Sequence, residues 1–172
     1  MIDIIQNDNP TLREICKTIS LKDISSEKIQ NIIIKMKKAL NSQEDGVAIA
    51  APQIGEAVRM FIVSDNVMKL ADESFRSSGK DLVFINPEII KLSRNKQEVE
   101  EGCLSVRWKY GKVKRSMKAT VRGYNELGEL VERGASGLLA QIFQHETDHL
   151  DGILFIDKAH DILDIPPEKI IC

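Results

Sequence analysis

Two of the chain's three histidines stand four residues apart in Gln144-His145-Glu146-Thr147-Asp148-His149, with a glutamate directly after the first. In a helix that spacing puts both imidazoles on one face, about 6 Å apart along the axis. The stripe continues backwards through Ile142 and Leu138, at intervals of three and four, so the histidines fall on the core-facing side. Polar ligands and a carboxylate beside a buried face are tolerated only where they are paired or do chemical work. A helix over Gly137 to about Leu150, stopped by Asp151-Gly152, therefore belongs at the centre of the fold with the other elements around it.

Those other elements are mostly strands. Val58 to Val63, Leu82 to Ile85 (closed by Asn86-Pro87), Val99 to Val106, Val113 to Tyr124 and Glu129 to Arg133 read as strands, with a turn at Asn125 to Gly128. Pro10 to Cys16 reads as a short helix with Leu12 and Ile15 available to pack. Ser25 or Ser26 can cap a longer helix to about Asn41, whose Ile29, Ile32, Ile33, Met36 and Leu40 recur at three and four residues. Gly46 to Gly55 is small, apolar and nearly uncharged, which suits backbone in a tight buried place, and Ser64 to Lys80 is a polar insertion. The expected architecture is α+β, a single compact domain with antiparallel or mixed strands around a central metal-binding helix. It spans residues 1–158, and 159–172 form an irregular or short appended tail.

At 172 residues with net charge −2, the chain is long enough for one real core and carries no global signal for nucleic acid, so no direct nucleic-acid binding is expected. The basic stretch Arg107 to Lys118 is interrupted by Val113, Ser116 and Met117 and reads as a solvated strand or loop surface. Three dispersed cysteines, Cys16, Cys103 and Cys172, argue against a disulfide framework and fit a reducing cytoplasm. The N-terminus lacks the features of a signal peptide, and no run approaches the roughly 18 apolar residues of a membrane span. The expectation is a soluble, cytoplasmic protein without membrane attachment.

The chemistry of the histidine helix is that of a metal hydrolase. Two imidazoles hold an ion, and Glu146, beside the first ligand, reaches a water bound to that ion and carries its proton. Such a site needs a third protein ligand and one open position. Asp148, Asp151 and Cys103 are the available donors. Asp148 points about 100° off the histidine face and suits an outer salt-bridge role, with Arg115 as one possible partner. Cys103 lies in Glu100-Glu101-Gly102-Cys103-Leu104-Ser105, beside a glycine that permits close approach, and is the favoured ligand. A Cys-His-His set suits Fe²⁺ or Zn²⁺. His160, in a polar segment, reads as a surface residue.

Three segments in order resemble the signatures of the peptide deformylase family, GxGxAAxQ, EGCLS and QHExDH. Here they stand as Gly46-Val47-Ala48-Ile49-Ala50-Ala51-Pro52-Gln53, Glu101-Gly102-Cys103-Leu104-Ser105, and Gln144-His145-Glu146-Thr147-Asp148-His149. The resemblance runs from the first helix through Leu154-Phe155-Ile156-Asp157. It implies Cys103, His145 and His149 as metal ligands and Glu146 as general acid/base. It further implies that the Gln53 amide and the Leu104 N–H hold the oxyanion.

The implied activity is removal of formate from the N-terminal formyl-methionine of nascent polypeptides, water at the metal attacking the formyl carbon. The implied metal is Fe²⁺, with Zn²⁺ or Ni²⁺ as substitutes, and the implied partners are nascent peptides, with transient contact at the ribosome. Val47 is placed near the methionine pocket by the resemblance, and Leu138 and Ile142 are candidates for it from helical phase. Two departures bear on the groove. Ala48 replaces the signature's second glycine, where a methyl group could be harmless, narrow the cleft or forbid a positive φ. Arg107 stands where the family commonly has proline, followed by an unusual Trp108-Lys109-Tyr110. Competing readings are a relative with altered substrate range, a catalytically silent metal-stabilised binding protein, and an HExxH endopeptidase.

Overall fold

The computed structural model describes residues 3–67 and 79–166, so most of the expected polar insertion and the end of the tail, from Pro167 to Cys172, lie outside the described residues. Ser26 caps α1 (Glu27–Asn41), its hydroxyl accepting from the Ile29 amide. The predicted stripe Ile29, Ile32, Ile33, Met36 and Leu40 is buried throughout. It packs on one face of a five-stranded antiparallel sheet in the order β1-β2-β3-β6-β7. These strands are β1 (Ala48–Ala50), β2 (Met60–Val63), β3 (Leu82–Leu92), β6 (Lys118–Tyr124) and β7 (Leu130–Ser136).

Strand β2 shows why the sheet is central. All four of its residues are apolar and buried, as expected of a strand covered on both faces. Met60 and Ile62 point to α1, whereas Phe61 and Val63 point to the opposite face. On that face the rings of Phe61, Phe84 and Phe143 pack in tilted and edge-to-face contacts with centroids 5.0–6.2 Å apart. Phe143 belongs to α2 (Gly137–Leu150), the histidine helix. A second antiparallel sheet, β4-β5-β8, is formed by β4 (Lys96–Cys103), β5 (Val106–Ser116) and β8 (His160–Asp164).

Several boundaries differ from the sequence expectation. β3 continues past Asn86-Pro87 to Leu92, because a register shift between Ile85 and Glu88 absorbs the missing proline N–H. Asn86 takes φ 50 there, and its side chain bonds the Ile19 N–H and C=O at 2.8 and 2.7 Å. The expected strand 99–106 is a hairpin whose turn is Leu104-Ser105, so Cys103 ends β4 rather than sitting inside a strand. The expected strand 113–124 breaks at Met117, where the chain leaves the small sheet for the large one. Pro10–Arg13 is a single 3₁₀ turn that buries Leu12 and leaves Ile15 exposed. The tail contributes β8, paired to β5. After α2 the chain turns at Gly152 (φ 72), whose position would bring a Cβ within 2.6 Å of the Arg13 carbonyl oxygen. No helix among the described residues is long and apolar enough to cross a membrane.

Candidate metal centre and its pocket

The ligand atoms of Cys103, His145 and His149 lie within 4.8 Å of one another. The two histidines come from consecutive turns of α2, and their rings meet edge to face at 5.0 Å. Cys103 arrives from the other sheet, at the point where a bulge between Gly102 and Cys103 shifts the β4 register. Gly102 permits that course: a Cβ there would lie 2.8–2.9 Å from the Tyr110 ring. The Cys103 sulfur is 3.1 Å from His149 Nε2 and accepts from the Ser105 amide at 3.4 Å.

The charges fit a cation. Burial pushes the Cys103 thiol up, but His149 and His145 outweigh it and bring it down to about 5, so the sulfur is a thiolate at neutral pH. Burial opposes charge on His145 as well, yet Cys103, Glu101 and Glu146 raise it well above the ordinary imidazole value. A pocket that holds protons this tightly offers the same electrons to a divalent ion, and one thiolate with two imidazoles suits iron, zinc or nickel. The residues present therefore fit a bound metal.

His145 is oriented from behind. Its Nδ1 lies 2.9 Å from Glu101 Oε2, so with Glu101 ionised Nδ1 carries the proton and Nε2 is left as the donor atom. Glu101 in turn accepts from Arg115 Nε and Nη2 at 2.7 and 2.9 Å, and Arg115 Nη1 donates to Asp148 at 2.6 Å. Lys158 completes the row on Asp148 at 2.7 Å. Burial pushes the Glu101 carboxyl up, but the Arg115 and His145 hydrogen bonds prevail and hold it at about 2. His149 Nδ1 is buried and bonds no described group.

Glu146 has one carboxylate oxygen, Oε2, that is buried without a hydrogen-bond partner among the described residues. Burial raises its carboxyl to about 7 against the lowering influence of His145 and His149. A proton carrier with that affinity changes state near neutral pH. Gln53 sits in the 3₁₀ turn Ala51–Ile54. Its Oε1 accepts the Ala50 amide at 2.8 Å, which turns the NH₂ toward Ser105 Oγ (3.2 Å) and Cys103 Sγ (3.5 Å). The Leu104 carbonyl accepts from Gln6 at 3.1 Å.

Beside these groups is a pocket of about 300 Å³. Val47, Ala48, Gln53, Cys103, Leu104, Leu138, Ile142, His145 and Glu146 all line it, so the structure gathers the sequence-named groups from three distant segments. Ile142 is buried, but Leu138 is 40% exposed, because the first turn of α2 emerges at the pocket rim rather than facing the core. Ala48 is an ordinary strand residue paired with Val63 and has no positive φ, so its methyl imposes no backbone strain. Asp148 and Asp151 are not ligands: the first serves Arg115 and Lys158, the second Arg59 at 2.7 Å. His160 is exposed and bonds Glu98. Arg115, inside the stretch read as solvated, is instead 5% exposed. Sequence reasoning assigned no role to Glu101, Ser105 or Gln6. For Glu101 a signal existed, since it stands two residues before Cys103 on a strand.

Fold and site together define a metal-dependent hydrolase. The family model described as Polypeptide deformylase matches residues 1–163. A peptide deformylase from Desulforudis audaxviator is 39% identical over 162 residues, covering 94% of this chain and 96% of that protein. Among solved structures, the peptide deformylase of Thermotoga maritima aligns with TM-score 0.79 and 32% identity, covering 93% of this chain and 98% of that one. A class I type b peptide deformylase from Acinetobacter baumannii, solved with Met-Ala-Ser bound, aligns with TM-score 0.78 and 31% identity, covering 91% and 97%. The chain belongs to the polypeptide deformylase family.

Proposed function

We propose that this protein hydrolyses the N-formyl group from the methionine that begins new polypeptides, with Fe²⁺ held by Cys103, His145 and His149, and Zn²⁺ or Ni²⁺ as substitutes. The observation that carries this function is the convergence of the three donors, within 4.8 Å, beside a pocket that Glu146 and Gln53 also line. When bound, the ion supplies Lewis acidity, polarising the formyl carbonyl and making a water more acidic.

The chain's own residues do the rest. Glu146 takes the proton of the attacking water and returns it to the departing amine, a double duty suited to a carboxyl raised to about 7. As the formyl carbon becomes tetrahedral, its oxygen gains negative charge. The Gln53 NH₂ and the Leu104 N–H donate to that oxygen, and the Ala50 amide keeps Gln53 turned the right way. Glu101 keeps the His145 proton on Nδ1. Val47, Ala48, Leu138 and Ile142 supply the apolar lining for the methionine side chain. The Met-Ala-Ser seen in the Acinetobacter relative is the form such a substrate takes once its formyl group is gone.

A lone thiolate ligand is best preserved in reducing surroundings, which supports a cytoplasmic location, and the substrate implies brief encounters with nascent chains at the ribosome. A silent metal-stabilised protein has no use for a buried carboxylate with an unpartnered oxygen. The test is anaerobic preparation with Fe²⁺ and measurement of formate from formyl-Met-Ala-Ser, beside acetylated and unblocked controls. Metal-dependent formate release is expected; its absence, or faster hydrolysis of the acetylated peptide, overturns the assignment.

A further inference from the structure

Besides α2, which lines the pocket through Leu138, Gln141, Ile142, His145 and Glu146, two walls come from different sheets: residues 45, 47 and 48, leading into β1, and residues 100–104 and 107–110 of the β4–β5 hairpin. Gln53 ties the walls together beside the metal ligands, through Ser105 and Cys103. At the rim, among the described residues, every side-chain hydrogen bond between 43–47 and the hairpin belongs to Arg107. Its Nη1 donates to Asp45 Oδ2 at 2.6 Å, and its Nη2 donates to Asp45 Oδ1 at 3.2 Å and to Gln43 Oε1 at 2.6 Å.

The guanidinium also lies over the Trp108 ring, 5.3 Å from its centroid. Trp108 takes φ 66, an unfavourable backbone for a bulky residue. It is held there by the Arg107 contact and by its carbonyl, which accepts from the Ile165 amide at 2.7 Å. The Arg107 amide donates to Gln6 Oε1 at 3.3 Å, and Gln6 Nε2 donates to the Leu104 carbonyl. One residue thus registers the rim against both the α1–β1 connection and the turn that bears Leu104.

We infer that Asp45, Arg107 and Trp108 form a clasp that positions the peptide: it fixes the width of the pocket mouth before substrate arrives and sets KM without taking part in hydrolysis, an inference that rests on the deformylase function proposed above. The connection from Ser42 to Val47 lies between α1 and β1; its backbone is tied at the ends, by the Gly46 amide on the Gln43 carbonyl (3.1 Å) and the Ser64 amide on the Val47 carbonyl (2.9 Å), and Asp45 between them is held through its side chain by Arg107. With the clasp closed, the cost of ordering that connection is met in the free protein. With it open, each binding event must meet that cost again, and affinity falls while the chemistry is untouched. Because Asp45 neutralises the guanidinium, the rim presents the exposed rings of Trp108 and Tyr110 rather than a bare cation.

Steady-state kinetics of the Fe²⁺-loaded protein on formyl-Met-Ala-Ser, with Arg107→Ala, Asp45→Ala and the double variant, test this. Each single change is expected to raise KM about three- to tenfold with kcat held within about twofold, as fits a bidentate but partly exposed pair. The double variant is expected to be no worse than Arg107→Ala alone, because that change already removes the bonds to Asp45 and Gln43 and the contact with Trp108. Added salt, about 0.5 M, should raise the wild-type KM toward that of the variants and leave Arg107→Ala unmoved. The charge-swapped protein, Asp45→Arg with Arg107→Asp, should recover part of the loss. Unchanged KM, a fall in kcat alone, or multiplicative single effects overturns the clasp.

Should Arg107→Ala fail to fold, Asp45→Asn, at a more exposed position, carries the same comparison. If the wild type releases no formate, the deformylase function fails by itself, and calorimetric binding of Met-Ala-Ser decides the clasp. Weaker binding by both single variants supports it; equal binding, or no binding by the wild type, overturns it.

Discussion

Exchanging Glu101 for Gln keeps the shape of a side chain only 2% exposed and removes its charge. The carboxylate accepts two hydrogen bonds from Arg115 and lies 2.9 Å from His145 Nδ1. An amide has one acceptor oxygen, so its NH₂ must face one of these donors. Breaking one side of a buried ion pair costs about 3–5 kcal/mol, and because Asp148 still neutralises Arg115 the lower end, about 3 kcal/mol, is expected. The same change releases the His145 ring, and loss of such a partner lowers metal affinity roughly 10- to 100-fold.

Urea unfolding of the metal-free protein reads the first quantity, and chelator competition reads the second. The pH dependence gives an internal check. Glu101 is held at about 2 in the folded protein against an ordinary 4.5. A carboxyl depressed by folding contributes stability above its unfolded value and loses it as pH falls through the folded one. The gap between wild type and Glu101→Gln is therefore full above pH 4.5 and closes toward about pH 2. A stability difference below about 1 kcal/mol together with unchanged metal affinity refutes the role given to Glu101.

Other changes separate chemistry from scaffold. Glu146→Gln should keep full metal content and lower kcat by about 10²- to 10⁴-fold, measured as formate release. Gln53→Leu removes a donor from the charged oxygen and should lower kcat by about 10²- to 10³-fold; a tenfold change or less argues against that contact. Chelation should abolish turnover and lower the melting temperature, since a metal present at about 1,000 times its Kd contributes about 4 kcal/mol. Gly152→Ala places a methyl 2.6 Å from the Arg13 carbonyl at φ 72, and should destabilise by about 2–3 kcal/mol in urea while sparing kcat at low temperature.

Local periodicity carried a large part of the fold. The α1 stripe, a serine cap at 25 or 26 and the α2 span follow from spacing that any isolated helix would share, and the structure selects Ser26. The metal pair was legible for the same reason, since i and i+4 fix a common face whatever surrounds them. Strand limits were less legible. Alternation continues across Leu104-Ser105 and across Met117, because a hairpin turn or a change of sheet need not interrupt the apolar pattern. Pro87 read as a stop, yet a bulge let the ladder continue around it.

The sequence by itself pointed to the residues that could do the chemistry: a His-Glu-His helix and a cysteine beside a glycine from their spacing and type, and Gln53 only through the resemblance of its segment to a family signature. It also gave Asp148 its outer role, from phase alone. Only the tertiary structure decided what holds them. Arg115 is buried between Glu101 and Asp148 because β5 runs in the small sheet against α2, and Arg107 meets Asp45 across 62 residues of chain. Periodicity reports which face of an element is covered. It does not report which sheet receives a strand or which distant charge completes a pair, since both depend on two sheets closing on one helix.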